Sequence, residues 1–368
     1  MKRIVGWVAA LSTVLALVGV AGAGWYYSGM VIDPSHGASY PLEVVSYDGS
    51  RVTLKGGSDT DAPGVYGLTW ASGNATLGAV VSRAPGTVTR KVSAVRRGTL
   101  KPGVRAYLDR WMWGHEDPRS AVGVPYTKVK ITSKLGDFPA WRTEGTAKTW
   151  VIAVHGRNAG PAEALRVVPL FHRLGMPVLS ITYRNDEGAP ASDDGKLHLG
   201  ATEWEEVAAA ISYARGEGAT DIYLYGWSMG GGIVPMAARR LPGEPIRGLI
   251  LDSPVMDWTS PIELGARQRG VPLWLASVGR FVVERRTGLS FEELDHVAHA
   301  ADFKVPMLIF VDTDDRTVPV EPAVEFAALR PDLVRLVKTA GAGHTGSWNL
   351  SPDAYERAVT AFVTAPAR

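Results

Sequence analysis

The chain lacks cysteine, and its charges almost cancel. Its 368 residues include 39 basic and 37 acidic side chains, which leaves a formal net charge of +2. Without cysteine, disulfide scaffolds, zinc–thiolate sites, iron–sulfur sites and cysteine nucleophiles are excluded. The small net charge gives no reason to expect nucleic-acid binding, which depends on a strong basic patch. Because 46% of the residues are hydrophobic and 21% are charged, an intrinsically disordered chain is also excluded.

Charge is missing from one long stretch near the N terminus. Residues 4–32 contain no Asp, Glu, Lys, Arg or His, and about 20 apolar residues are enough to cross a bilayer. Lys2 and Arg3 precede this run, and aromatic residues lie near both of its ends. This pattern predicts an uncleaved single-pass membrane anchor over residues 1–32, with the rest of the chain outside the cytoplasm. The small residues at 21–23 resemble a cleavage site, so secretion after signal-peptide removal is the alternative.

Two further regions follow the apolar segment. Residues 33–125 contain short alternating stretches separated by turn pairs, which predicts a small β-rich unit. In residues 126–368, apolar strand-like runs alternate with helix-like stretches, and this pattern predicts a mostly parallel sheet with helices on both faces. Residues 257–300 interrupt the alternation with helical sequence. We therefore expect them to form a cap over the carboxyl edge of the sheet, where such folds place their sites.

The strongest motif is the segment Gly226-Trp227-Ser228-Met229-Gly230, which follows a predicted strand and precedes a helix-compatible stretch. In that context Gly-x-Ser-x-Gly predicts a nucleophile elbow, a sharp turn that exposes the serine hydroxyl at a helix N terminus. Gly226 and Gly230 allow the strand and the helix to approach closely. A phosphate-binding loop is excluded, because no Gly-Lys-Ser/Thr follows.

A serine nucleophile needs a general base and a carboxylate that orients the base. Of the eight histidines, His344 is best placed, in a Gly-rich loop between the last predicted strand and the last predicted helix. Asp315 follows another strand and is the predicted orienting carboxylate, with Asp252 as the alternative. Asp312 and Asp314 are expected to form the turn at the end of that strand.

An oxyanion hole is predicted beside the segment His155-Gly156-Arg157-Asn158, which directly follows a predicted strand. The backbone amides of Met229 and Arg157 are the proposed donors, and His155 is expected to hold the loop. Three cap residues are candidates for an apolar acyl pocket, with packing in the core as the alternative for each: Trp258, Leu273 and Trp274. No metal and no cofactor are predicted.

On these motifs the sequence resembles the α/β-hydrolase superfamily over residues 126–366. More narrowly, it is similar to the bacterial serine-aminopeptidase and monoacylglycerol-lipase-like group. The chain order Ser228, Asp315, His344 is the order of that superfamily. The resemblance implies a sheet of about eight strands and a helical cap. It does not extend to the residues before 126, which match no general element of the superfamily.

These observations predict a membrane-anchored serine hydrolase that cleaves small-molecule or lipid carboxylic esters through an acyl-enzyme. A peptidase or amidase with the same triad is the first alternative, and Glu292 and Glu293 could recognise an amine. A catalytically silent module that binds an envelope partner is the second.

The net charge of +2 hides a segregation along the chain. Residues 51–134 carry 14 basic and five acidic side chains, whereas residues 135–368 carry 23 basic and 29 acidic ones. The basic stretch coincides with most of the predicted β-rich unit. It is either a solvated face or a surface that contacts anionic lipid headgroups or envelope polymers.

Overall fold

The computed structural model describes residues 2–57, 59–114 and 116–366. Along the chain lie an N-terminal helix, a small β-barrel, and a larger α/β unit built on an eight-stranded sheet. The side chains of Lys2 and Arg3, on which the predicted orientation depends, lie outside the described part, as do those at 4–6, 8–10 and 16.

Helix α1 (Lys2–Ile32) has an exposed part and a docked part. By length and composition its segment Leu11–Ile32 could cross a membrane, a test that signal sequences and some core helices also pass. Its last turns pack against the α/β unit: Ile32 is completely buried, and its carbonyl accepts a hydrogen bond from the Leu197 amide. At Gly24 the approach is so close that a Cβ would lie 3.0 Å from Cγ1 of Val278.

The barrel closes in the order β1-β2-β5-β4-β3-β6, with antiparallel pairing throughout. Alternate apolar residues such as Leu42, Val44, Val52 and Leu54 point into its core, as expected of strands with one buried face. The barrel strands are β1 (Leu42–Tyr47), β2 (Arg51–Lys55), β3 (Tyr66–Trp70), β4 (Gly73–Ala84), β5 (Thr87–Arg97) and β6 (Arg105–Asp109).

The sheet has the order β14-β13-β12-β11-β9-β10-β8-β7, in which the strands from β14 to β10 are parallel and the β7–β8 hairpin is antiparallel. Seven of these strands lie where the apolar runs predict them. Strand β8 was not predicted, because Pro139 interrupts its short apolar stretch and charged residues lie on both sides of that stretch. The sheet strands are β7 (Tyr126–Ser133), β8 (Gly136–Thr143), β9 (Thr149–Val154), β10 (Val178–Ile181), β11 (Asp221–Trp227), β12 (Ile246–Asp252), β13 (Met307–Asp312) and β14 (Val334–Thr339).

Helices cover both faces of the sheet. On β11, Ile222 and Leu224 face one layer of helices, whereas Tyr223 and Tyr225 face the other, so the central strands are apolar on both sides. Two of the helices, α6 and α7, form the cap. The helices are α2 (Pro118–Val122), α3 (Val168–Arg173), α4 (Trp204–Gly216), α5 (Gly230–Arg240), α6 (Thr259–Gln268), α7 (Leu273–Thr287), α8 (Glu321–Leu329), α9 (Ser347–Leu350) and α10 (Pro352–Val363), with 3-10 turns at Pro161–Arg166 and Ala300–Asp302.

Candidate active site

Ser228 lies on a strained turn between β11 and α5. Its φ is +52°, a left-handed value that costs energy in any residue with a Cβ. A Cβ on Gly226 would lie 2.4 Å from the carbonyl oxygen of Gly230, and a Cβ on Gly230 would lie 2.1 Å from that of Val154. Only glycine therefore fits at either position. The predicted elbow residue Trp227 is buried and stacks on Tyr225 at 4.2 Å between ring centroids.

The structure brings Ser228, His344 and Asp315 together. Nε2 of His344 lies 2.9 Å from Oγ of Ser228, and its Nδ1 lies 2.7 Å from Oδ2 of Asp315. When Nδ1–H donates to the carboxylate, Nε2 is free to accept the serine proton. The chain order and the distances match what a nucleophile, base and orienting carboxylate need.

Asp315 is held as a carboxylate. Its other oxygen, Oδ1, accepts hydrogen bonds from the amides of Thr317 and Val318 at 2.8 and 2.9 Å. Burial by itself raises the pKa of Asp315, but the hydrogen bond and charge of His344 together with the two amides outweigh burial, so the pKa lies below its ordinary value. The side chain thus stays ionised at neutral pH.

The competing carboxylates have other partners. Asp312 is completely buried and accepts the amides of Ala342 and Gly343 at 3.0 Å each, so it anchors the loop that carries His344. Asp314 accepts the amide of Gly341 at 2.7 Å from the same loop. Asp252 accepts a hydrogen bond from Tyr355, and burial raises its pKa to about 6.

The loop after β9 lies against the nucleophile. A Cβ on Gly156 would be 3.1 Å from Cβ of Ser228. The Gly156 amide is not available to an oxyanion, because it donates to Oε2 of Glu163 at 2.7 Å. Within the described part of the chain, the amides of Met229 and Arg157 have no hydrogen-bond acceptor. Both remain candidate oxyanion donors.

His155 secures this loop. Its Nε2 lies 2.8 Å from Oδ2 of Asp186, its Nδ1 lies 2.8 Å from the Gly156 carbonyl oxygen, and its ring stacks on Tyr183. Burial lowers the pKa of His155, but the charge and hydrogen bond of Asp186 and the Gly156 carbonyl outweigh burial, and the pKa is raised. These contacts leave His155 pointing away from Ser228.

A cavity of about 500 Å³ opens over Ser228 and His344. The cap and the end of α1 form its walls, and α1 contributes Tyr27, Met30 and Val31. This contribution was not predicted, because an apolar N-terminal segment gives no local signal that its last turns line a distant site.

Of the three predicted pocket residues, Trp258 lines the cavity. The predictions for Leu273 and Trp274 are wrong: the side chains are 38% and 59% exposed and do not border the cavity. Helix α7 instead turns Ala276, Gly279, Arg280 and Val283 toward the cavity, a single face at helical spacing. The sequence alone did not reveal the rotational phase of this helix.

The polar lining of the cavity is basic. Four arginines border it, and the lining includes no Asp or Glu among the described residues. The arginines are Arg157, Arg269, Arg280 and Arg316.

Three buried residues near the site were also not predicted: Glu163, Arg166 and Asn349. They form one hydrogen-bonded network beneath the loops of Gly156 and His344. The available signal was weak. Glu163 and Arg166 are opposite charges three residues apart in an otherwise apolar stretch, which is compatible with an ordinary surface pair. Over residues 2–57, 59–114 and 116–366, no group of His, Cys, Asp and Glu is arranged to hold a metal ion.

Known structures resemble this chain in fold. An esterase of Pyrococcus furiosus superposes with a TM-score of 0.56 at 21% identity, covering 68% of this chain and 93% of the esterase. An esterase of Butyrivibrio proteoclasticus with bound ferulic acid gives a TM-score of 0.51 at 20% identity, covering 64% of this chain and 97% of that chain. At such identities the likeness shows the α/β-hydrolase fold.

Two families match the sequence itself. Residues 43–109, essentially the barrel, match a family described only as a domain of unknown function. A search of curated proteins found no match. The narrower similarity to the serine-aminopeptidase and monoacylglycerol-lipase-like group stays a prediction. Residues 167–365 match the prolyl oligopeptidase family, and this span includes Ser228, Asp315 and His344. This match covers more than half of the chain, and the chain therefore belongs to the prolyl oligopeptidase family.

Proposed function

We propose that this hydrolase cleaves carboxylic esters, with Ser228 as nucleophile, His344 as general base and Asp315 as the orienting carboxylate. The observation that carries the proposal is the position of His344, within hydrogen-bond distance of both other side chains.

The reaction follows from these contacts. Oγ of Ser228 attacks the acyl carbonyl while Nε2 of His344 takes its proton, and the carboxylate of Asp315 stabilises the resulting imidazolium. The amides of Met229 and Arg157 bind the oxyanion, and each such donor is worth about 3 kcal/mol of barrier lowering. His344 then gives its proton to the leaving alcohol. Water, activated by the same base, releases the acid and restores Ser228.

The character of the cavity favours esters over peptides with a free amine. Recognition of an ammonium group needs a carboxylate near the nucleophile, and the described lining has none. Glu293, suggested above as a residue that recognises an amine, instead pairs with Arg240 at 2.8 Å on the surface. Peptide or amide hydrolysis is the second candidate, and membership of the prolyl oligopeptidase family favours it.

A fluorophosphonate probe tests the nucleophile directly. Folded protein is expected to be labelled at Ser228, and the Ser228→Ala variant is expected to stay unlabelled. Absence of labelling in folded protein would refute the triad. Parallel assays on short acyl p-nitrophenyl esters and aminoacyl amides then separate esterase from peptidase. Equal rates for wild type and Ser228→Ala on all of these substrates would support a silent binding module.

We further propose that the N-terminal part of α1, residues 4–23, anchors the chain in a membrane. Residues 4–23 form about 30 Å of helix, the thickness of a hydrocarbon core. Trp25 and Tyr26 follow them, 61% and 66% exposed, where interfacial aromatics belong. The mature N terminus of membrane-extracted protein provides the test. Retention of residues 1–23 supports the anchor, whereas a chain that begins near Gly24 supports secretion.

The basic stretch at 51–134 is proposed to contact anionic lipid headgroups or envelope polymers. A chain that begins at residue 24 should co-sediment with anionic vesicles more than with neutral ones, and salt should weaken the binding. Binding that is indifferent to salt and lipid charge would count against this contact.

A further inference from the structure

Among the described residues, the arginines that line the cavity have no acidic partner. By contrast, Arg267 on α6 does not line the cavity and pairs with Glu263 at 3.2 Å. Arg269, two residues further, donates to the carbonyl of Gly265, and Arg280 donates to the hydroxyl of Thr259. Neither guanidinium forms a salt bridge with a described carboxylate. Nε of Arg280 is buried without a partner in the described structure.

An unpaired guanidinium at a cavity wall is a strong anion receptor. It stays charged and presents several donors in a planar fork that fits carboxylate and phosphate groups. The two arginines differ in depth, since Arg280 is partly buried on α7 whereas Arg269 is exposed at the end of α6. Both arginines belong to the lining of the cavity over Ser228.

Apolar side chains line the same cavity. Tyr27, Met30 and Val31 of α1 border it, and Trp258 and Ile262 continue the apolar lining. Side chains of this kind take up an alkyl chain. One cavity over Ser228 thus offers both apolar surface and guanidinium groups that form no salt bridge with a described carboxylate.

We infer that the physiological substrate is an amphiphilic acyl ester whose alcohol carries an anionic group. The acyl chain lies along the α1 wall, the ester carbonyl lies at Ser228, and Arg269 and Arg280 bind the anion. The inference rests on the proposed esterase function and narrows its substrate class. Phosphate and carboxylate share the chemistry that this site recognises.

The test compares esters that share one acyl chain. The substrates are a neutral monoacylglycerol, the corresponding acylglycerol phosphate, and a glycerol ester that carries a terminal carboxylate. We expect kcat/KM to be at least about tenfold higher for an anionic ester than for the neutral one, with the difference mainly in KM, because a charged hydrogen bond contributes that much. The two anionic substrates show whether phosphate or carboxylate is preferred.

Arg269→Gln and Arg280→Gln should each lower kcat/KM for the anionic esters more than for the neutral ester, so that the ratio between the two falls toward one. Arg267→Gln is the matched control: it removes an arginine from the same helix that pairs with Glu263 and does not line the cavity. Equal kcat/KM on neutral and anionic esters would overturn the inference while leaving the esterase intact. Failure of every ester, together with absent fluorophosphonate labelling, would instead refute the proposed function.

A separate set of contacts joins the barrel unit to the candidate active site. Trp111, directly after the last barrel strand, donates from Nε1 to Oε1 of Glu163 at 3.1 Å. Oε2 of the same carboxylate accepts the Gly156 amide at 2.7 Å, in the loop beside Ser228. One barrel side chain is thereby connected to the candidate oxyanion loop through a single buried residue.

The barrel unit also contacts α9, the short helix that follows the loop of His344. The Asn349 side chain donates to the carbonyls of Val65 and Arg110 at 2.8 and 2.9 Å, and the Val65 amide donates to the Asn349 carbonyl at 2.9 Å. A Cβ on Gly64 would lie 2.2 Å from that carbonyl oxygen, so the two segments are in direct backbone contact.

We propose that the barrel is a positioning unit for the active site, with Trp111 as a positioning residue. It supports the loop of Gly156 through Glu163, and it supports α9, which follows the His344 loop, through Asn349. This gives a role to the region that matches a domain of unknown function.

Trp111→Phe keeps an aromatic ring, although a smaller one, and removes the donor to Glu163. We expect kcat on a soluble p-nitrophenyl ester to fall about tenfold or more, because small misplacements of reacting groups are costly, while KM stays within about twofold. Trp70→Phe is the matched control. It lies on a barrel strand, is 4% exposed, and has an Nε1 without a partner in the described structure.

Rates are normalised to active sites by fluorophosphonate titration, so that unfolded protein does not enter kcat. A Trp111→Phe variant whose kcat matches that of Trp70→Phe would overturn the positioning role. A variant in which kcat falls and KM rises together would indicate general disruption and would also count against the positioning role.

Discussion

Arg166 donates to the carbonyl oxygen of Thr345, the residue directly after His344, at 2.6 Å. The same guanidinium lies 3.2 Å from Oε1 of Glu163, which holds the loop on the other side of Ser228. Arg166 is 1% exposed, and its guanidinium lies over the ring of Trp227. A single buried cation thus connects the loop of His344, the loop of Gly156 and the turn that carries Ser228.

Removing this cation is expected to be costly. Arg166→Met leaves Glu163 buried without its charge partner, which should lower the free energy of unfolding by about 3–5 kcal/mol. Denaturant unfolding measures the loss. The double variant with Glu163→Gln should lose less than the sum of the single variants, because the two residues interact directly. Strict additivity would show that the pair is not coupled.

Asp315→Asn tests the orienting carboxylate. The substitution preserves shape but removes the charge that stabilises the imidazolium of His344, so kcat should fall about 10⁴-fold on an ester substrate. The melting temperature indicates whether the variant is folded. The same change at Asp314, whose carboxylate accepts the Gly341 amide, should affect kcat far less. Equal losses in the two variants would argue against the assignment of Asp315.

Gly230→Ala should disrupt the elbow. The added Cβ would lie 2.1 Å from the Val154 carbonyl oxygen, so the helix must move away from the sheet, and we expect a loss of more than about 4 kcal/mol in unfolding free energy. Gly216→Ala is the control, because it ends α4 and its Cβ would meet nothing within 4 Å. That variant should be unchanged or more stable by up to about 1 kcal/mol.

Asp252 predicts a pH dependence of stability. Burial raises its folded-state pKa from 3.8 to about 6, so the folded protein binds this proton more tightly than the unfolded chain. The stabilisation of the folded state by protonated Asp252 is therefore fully present below pH 3.8 and is lost as the pH rises to about 6. Over that window it amounts to about 3 kcal/mol.

The Asp252→Asn variant should show a flatter stability profile between these pH values, measured by denaturant unfolding. A profile parallel to that of the wild type would contradict the raised pKa. The absolute stability of the variant is not the readout, because the amide changes the hydrogen bond from Tyr355.

The features that were predicted from sequence have local signals. The elbow around Ser228 is contiguous, and His344 and Asp315 each follow an apolar strand whose end places them at one sheet edge. The contacts that support the site join distant segments: Trp111 reaches Glu163 over 52 residues, and Arg166 reaches Asn349 over 183. Such pairs leave no periodic pattern, because each partner alone resembles an ordinary surface or core residue.

The wrong predictions for two cap residues have a related cause. Leu273 and Trp274 are large apolar residues next to a predicted site, and burial there was a reasonable expectation. Their exposure follows from the rotation of α7, which turns Ala276 and Gly279 inward and brings the helix against α1. The orientation of one helix is thus determined by a segment about 250 residues away in sequence.

The position of α1 in the cavity wall has a kinetic consequence. If the first turns of α1 are held in a bilayer, the reactive serine stays at a constant height above the lipid surface, and its encounters with an amphiphilic ester become a search in two dimensions. The rate would then depend on the mole fraction of substrate in the membrane and not on its bulk concentration. Dilution with inert lipid would slow the enzyme, and adding water would not.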